Sequence, residues 1–227
     1  SSHVGGVRLI EPAGRTPVSL SATEEKAFGL KSGVPAVATD VLKAGSALDA
    51  ALKEEGHPLA HVDVPTAYLQ PSSRTLDVEY PVTVGPKADI GTISLEGLDR
   101  TNPKFVRRRL TVEPGQLYRP SKIEDARQDL ASLGIFSTVG VKDAPKLAPD
   151  GSMPLTFNFR EAKRHTVGAE VGYSTDLGGR VGATWTHHNL FGNAERLKLT
   201  ALVTGVGGTS QQGLGYDVYA DLFKPDF

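Results

Sequence analysis

Between His165 and Phe227 the apolar residues recur at every second position in four short runs. Val167, Ala169, Val171 and Tyr173 share one side of the first run, opposite Thr166, Gly168, Glu170 and Gly172. Val181, Ala183 and Trp185 line the second. Leu197, Leu199, Ala201 and Val203 line the third, and Leu214, Tyr216, Val218, Ala220 and Leu222 the fourth, opposite Asp217 and Asp221. A strand turns successive side chains to opposite faces, so each run predicts a strand with one apolar face. Strands of about ten residues with this pattern suit the staves of a transmembrane β-barrel. A soluble sandwich shows the same alternation, and periodicity alone leaves the two readings even.

Four strands cannot close a barrel, the smallest of which has about eight. The run is therefore either a complete small sheet or the opening of a longer barrel. Composition describes an ordered chain: 39% hydrophobic and 22% charged over 227 residues, room for one large or two to three small domains. A net charge of −1 provides no overall field for nucleic acid or an anionic membrane surface. There is no cysteine, so neither a disulfide framework nor thiol chemistry is available. No stretch approaches the roughly twenty apolar residues of a membrane helix, so contact with a bilayer would run through strands. Ser1, with no initiator Met and no basic-then-apolar leader, reads as the start of a processed or engineered fragment.

Upstream, one order of elements occurs twice at a spacing of about eighty residues. Val4–Ile10 predicts a strand, Thr23–Leu30 a weak helix closed by Ser32-Gly33, and the stretch from Thr39 a better one. Val41, Gly45, Leu48 and Leu52 fall on one stripe of it, with Gly56 as its stop. Leu59–Val64 and Thr75–Val84 predict strands, and Pro81 inside the second argues for an edge or a bulge. The second round begins at Ile93 and Leu95. Asn102 caps a short helix with Pro103 at its first position, and Ser121 with Glu124 reads as a capping box for the next. Ile123, Ala126, Leu130 and Leu133 form the stripe of that helix and Gly134 ends it. Phe136–Val141 and a run through Leu155, Phe157 and Phe159 to Glu161 close the round. The fold class is α+β: two modules of order strand, helix, helix, strand, strand, each with helices on a three-stranded sheet, then antiparallel strands that are either a small sheet or the start of a truncated barrel.

Leu133-Gly134-Ile135-Phe136 and this element order resemble the POTRA (polypeptide-transport association) module. Gly56-His57-Pro58-Leu59-Ala60 resembles the same point of the first round. Tyr173-Ser174-Thr175-Asp176 before Gly178-Gly179, and Trp185-Thr186-His187-His188-Asn189-Leu190-Phe191-Gly192, resemble the barrel start of the BamA/TamA superfamily, most closely its TamA branch. The resemblance implies POTRA modules at 1–86 and 87–162 and leading staves at 163–227, with an earlier POTRA and about three quarters of a barrel missing. It implies a Gram-negative outer-membrane location, modules in the periplasm, and insertion of barrel or autotransporter clients without catalysis or cofactor. It also implies contact with outer-membrane lipid and a TamB-like inner-membrane-anchored partner. The alternatives are, within transport, a fragment of BamA or of a two-partner-secretion transporter and, from another class, a soluble adhesin or binding module with a small C-terminal sheet.

Candidate sites follow from these elements. A client-pairing edge is predicted at Val167, Gly168, Ala169, Glu170, Val171, Gly172 and Tyr173, whose glycines thin the packing of the strand or else fit barrel curvature. Lipid-facing residues are Val181, Ala183, Trp185, Leu197, Leu199, Val203, Leu214, Tyr216, Val218 and Leu222. Lys104, Arg107 and Arg108, beside Arg109, form a basic cluster: a solvated face on the plain reading, a partner contact on the sharper one, and not a nucleic-acid site in a charge-balanced chain. Six histidines offer no metal motif, since His187 and His188 alternate faces. No nucleophile elbow or phosphate-binding loop is present, and the Gly205–Gly213 stretch reads as a hairpin loop.

Overall fold

The computed structural model describes residues 1–176, 178–207 and 213–225, so the tip of the Gly205–Gly213 loop lies outside the described residues. Two compact units emerge: Ser1–Ile93 with Glu113–Ile123 and Asp143–Leu155, and Ser94–Val112 with Glu124–Lys142 and Thr156–Phe227.

The first round builds β1 (His3–Ile10), α1 (Ala22–Phe28), α2 (Ala38–Glu54), β2 (His61–Val62), β3 (Thr66–Gln70) and β4 (Thr75–Thr83). Ser21 and Glu24 form a reciprocal capping box that starts α1, and Gly29, at φ 68°, ends it earlier than the predicted Ser32-Gly33. On α2, Val41, Ala44, Gly45, Leu48 and Leu52 are buried, a stripe at helical spacing. They close over Val78, Tyr80 and Val82 of β4 in one apolar core with Phe28. Tyr80 is its centre. Its hydroxyl donates to Val41 O at 2.8 Å and Phe28 meets its ring edge-on at 5.0 Å. Gly45 leaves room for that ring, since a Cβ there would lie 3.3 Å from Tyr80 Cε1. Burial pushes the Tyr80 phenol up to about 12.

Two expectations fail in this sheet. The strand predicted at Leu59–Val64 contracts to His61–Val62, and β3, which no alternation announced, pairs with β4 from Thr66↔Glu79 to Gln70↔Thr75. The sheet is thus four-stranded, not three, with β4 central between a parallel β1 and the antiparallel β2 and β3. Pro81 therefore sits in a central strand and not at an edge. The reason is local. Asp63 N–H donates to Pro81 O, so that side of Pro81 faces the break between β2 and β3, where no ladder amide is needed from it. On the face away from the core, Glu79 is buried between Arg8 and Arg15, 2.8 and 2.9 Å from its oxygens.

The second round gives β5 (Ile90–Glu96), α3 (Pro103–Arg109), α4 (Pro120–Ala131), β6 (Phe136–Asp143) and β7 (Met153–Glu161), in a three-stranded sheet of order β5-β7-β6. Asn102 caps α3 as expected, accepting from Lys104 N–H at 3.1 Å, with Pro103 next. The capping box predicted for α4 does not form. Pro120 occupies the first helical position, Ile123 N–H donates to Arg119 O, and Ser121 lies two places past the cap. Its amide and hydroxyl both donate to Glu54, the last residue of α2, which puts a carboxylate at the positive, N-terminal end of the α4 dipole. Glu124 turns to Arg127 and Gln128 instead. Gly134 adopts φ 75°, the left-handed stop predicted for it.

The last four strands are β8 (His165–Ser174), β9 (Gly178–His188), β10 (Arg196–Val206) and β11 (Gly215–Phe223). They form an antiparallel meander of order β11-β10-β9-β8 that does not close. The fourth strand begins one residue after Leu214.

Candidate functional site

The register shows which side chains share a face. Val167 pairs with Trp185, Trp185 with Leu199, and Leu199 with Ala220. Val171, Val181, Val203 and Tyr216 form another row, and Ala169, Ala183, Ala201 and Val218 a third. Directly opposed residues in an antiparallel sheet project from the same face. One continuous apolar surface therefore crosses all four strands, joined at one end by Leu197 and Leu222. It is bare: Val167, Val171 and Val218 are 77%, 81% and 82% exposed. The opposite face carries Thr166, Glu170, Arg180, Thr184, Lys198 and Asp217, with Glu170 and Arg180 in an ion pair at 3.1 Å.

β8 holds the predicted edge residues Val167 to Tyr173. It pairs with β9 along its whole length, and its other side has no strand partner among the described residues. The glycines of this region permit close approach. A Cβ on Gly168 would meet Thr184 Oγ1 at 2.6 Å, and one on Gly182 would meet Leu202 Cδ1 at 2.9 Å. His187 and His188 take opposite faces: His187 packs edge-on to His165 and Trp185, whereas His188 Nε2 is 2.9 Å from Thr166 Oγ1. Among the described residues no cluster of three His, Cys, Asp or Glu is placed to hold a metal ion.

Sequence reasoning missed the polar junction at the base of this sheet. The β9–β10 turn, residues 189–195, lies against the loop that precedes α3. Asn189, Thr101 and Glu195 are buried there. Asn189 Nδ2 donates to Thr101 Oγ1 at 2.8 Å, and its Oδ1 accepts from Ala194 N–H at 2.9 Å. Glu195 Oε2 accepts from the amides of Phe191 and Asn193. Asn102 N–H donates to Gly192 O at 2.8 Å, and a Cβ on Gly192, at φ 85°, would stand 2.8 Å from Arg100 O. Glu161, at the end of β7, accepts from the Asp99 and Arg100 amides at 2.5 and 3.0 Å and from Thr101 Oγ1 at 3.2 Å. Burial pushes the Glu161 carboxyl up, but those donors and the Arg100 charge outweigh it and hold its pKa below the usual range. Glu195 is held low in the same way: burial opposes, while its own amide and those of Phe191 and Asn193 prevail. The one sequence signal was the Asn-Leu-Phe-Gly turn itself. Lys104, Arg107 and Arg108 lie exposed on α3, directly after this loop.

The same elements recur in known proteins. Residues 88–162 match the POTRA family, described as "Surface antigen variable number repeat". Over 147 residues the chain is 31% identical to the outer membrane protein assembly factor BamA of Neorickettsia risticii, a match covering 64% of this chain and 19% of that protein. Residues 88–162 thus match a POTRA module, and 64% of the chain is similar in sequence to BamA. BamA of Neisseria meningitidis serogroup B is 25% identical over 165 residues, 67% of this chain and 21% of that protein. The chain thus spans about a fifth of the length of these curated relatives. The crystal structure of BamA from Haemophilus ducreyi lacking POTRA domains 1–3 superposes with a TM-score of 0.71 at 19% identity, over 89% of this chain and 37% of that one. The β8–β11 sheet has the fold of the barrel portion there.

Proposed function

We propose that this chain belongs to an outer-membrane protein assembly factor, with POTRA modules at 1–86 and 87–162 in the periplasm and the leading staves of a larger barrel at 163–227. The single observation that carries this reading is the bare apolar face across β8–β11, fastened through a buried polar turn to a POTRA module. Val181, Ala183, Trp185, Leu197, Leu199, Val203, Tyr216, Val218 and Leu222, with Leu214 beside them, meet acyl chains. The stretch Val167–Tyr173 offers its unpaired backbone groups to an incoming client strand. A client that pairs there satisfies its amides and buries its own apolar face in lipid, so neither nucleotide nor covalent chemistry is required. Identity to BamA supports barrel-forming clients in general. The Tyr173-Ser174-Thr175-Asp176 turn and the Trp185–Gly192 run support the narrower TamA-branch version, with autotransporter clients and a TamB-like partner.

The chain has no cysteine, so single thiols report cleanly. In the barrel-bearing protein, Val171→Cys on β8 is expected to cross-link to a client strand carrying one cysteine, and Val218→Cys on β11 is not. Equal capture at both positions, or none at β8, sinks the reading.

A further inference from the structure

The overall charge is nearly balanced, yet the fold gathers cations at one level of the molecule. α3 contains Lys104, Arg107, Arg108 and Arg109 and no acidic residue. Phe105 and Val106 are fully buried, which turns Lys104, Arg107 and Arg108 outward on one stripe at i, i+3 and i+4 spacing. The residue that caps α3, Asn102, also donates its amide to Gly192 O in the β9–β10 turn. The helix therefore starts at the end of the staves, and a helix of this length extends only about 10 Å. On the same turn Phe191 is 71% exposed, and Trp185 stands on the apolar face a few residues into β9. Aromatic side chains at such positions mark the boundary between hydrocarbon and headgroups.

We propose that the Lys104–Arg107–Arg108 face of α3 binds the headgroups of anionic phospholipids in the leaflet facing the POTRA modules. The inference rests on β8–β11 being lipid-facing staves, because that places the 189–195 turn and α3 at headgroup depth. Lysine and arginine donate charge-assisted hydrogen bonds to phosphate, and each cation at an anionic surface strengthens binding about fivefold. The face would thereby hold the module beside the membrane, at the level where an incoming strand meets β8.

The test is co-sedimentation of the full chain at low salt with vesicles of phosphatidylcholine, alone or with about 30% phosphatidylglycerol. Retention by pure phosphatidylcholine reads the apolar face. The added affinity from phosphatidylglycerol reads α3, is expected near a hundredfold, and shrinks as salt is raised. Replacing two cations, Lys104→Gln with Arg108→Gln, should reduce that increment about 25-fold and leave phosphatidylcholine binding unchanged. The exchange Lys104→Arg with Arg108→Lys should preserve the increment, as should Lys43→Gln on α2. Binding to both vesicles with no increment, an increment that survives the double glutamine variant, or an equal loss in Lys43→Gln overturns the headgroup proposal alone. A chain that ignores both vesicle types overturns the stave reading and this proposal with it.

Discussion

β4 and β8 obey the same rule of alternation and come to opposite ends. On β4, Val78, Tyr80 and Val82 are 1%, 0% and 0% exposed; on β8, Val167 and Val171 are 77% and 81% exposed. The difference lies in what joins the strands. β1 and β4 are parallel neighbours separated by α1 and α2, and α2 lays its apolar stripe over the sheet. Only three residues of sequence separate β8 from β9, and β9 and β10 are joined by the 189–195 loop; neither length can hold a covering helix. Alternation therefore specifies a face, and connection length specifies whether the chain itself can cover it. Where it cannot, the cover must come from outside the sheet, and on the function proposed above hydrocarbon provides it.

The comparison is broken most forcefully through the covered sheet. Tyr80→Ala removes a fully buried ring, its edge contact with Phe28 and its bond to Val41, and should cost about 3–5 kcal/mol in urea unfolding followed by circular dichroism. Tyr80→Phe keeps the ring and should cost about 0.5–1.5 kcal/mol. If Tyr80→Ala were harmless, the helix-covered core would not be what holds the first module together.

The junction lies between these extremes, because it is polar and buried. Asn189→Ala leaves Thr101 and the Ala194 amide without their partner and should cost about 1–3 kcal/mol. Gly192→Ala combines a positive φ with a clash against Arg100 O and should loosen the same contact. Hydrogen exchange at the Asn102 and Ala194 amides is the measurement, and unchanged protection in both variants would show that the turn is not fastened through these bonds. Acid should release it too. Glu161 and Glu195 have pKa values lowered by folding, so their contribution is fully present above the ordinary carboxylate value of about 4.5 and is lost as pH falls through the folded values. Protection of the Asn102 amide should hold from neutral pH to about 4.5 and decline below it, with a shallower decline in Glu161→Gln.

What could be read from the residues follows the same physics. The faces of β8–β11 were legible because a period of two leaves one register that keeps Val181, Val203 and Tyr216 together. β3 was not, since Thr66 to Gln70 are all exposed and are held to β4 by backbone pairing and a bond from Gln70 Nε2 to Asp77, with no buried side chain to mark them. The capping box at Ser121 failed because Pro120 moved the helix start and Glu54, 67 residues away, supplied the acceptor. The junction was illegible for that reason as well. Glu161, Asn189 and Glu195 look like solvated turn residues until the fold brings Asp99, Arg100 and Thr101 against them.

The smallest expected effect sharpens the comparison most. Val218 is 82% exposed and sits in the third row of the apolar face, with Ala201 beside it. In water its side chain is already solvated, so Val218→Lys should alter urea unfolding of the chain by no more than about 0.5 kcal/mol. In vesicles the same substitution puts a charge against acyl chains, at a cost of about 2–4 kcal/mol near the middle of the bilayer, and should weaken retention accordingly. Asp217, one position away, projects from the opposite face, so Asp217→Lys should leave retention by phosphatidylcholine unchanged. A Val218→Lys chain destabilised in water by more than about 1 kcal/mol would mean that protein, not lipid, covers this face. β8–β11 would then be a second case of β4, with its cover supplied by another chain.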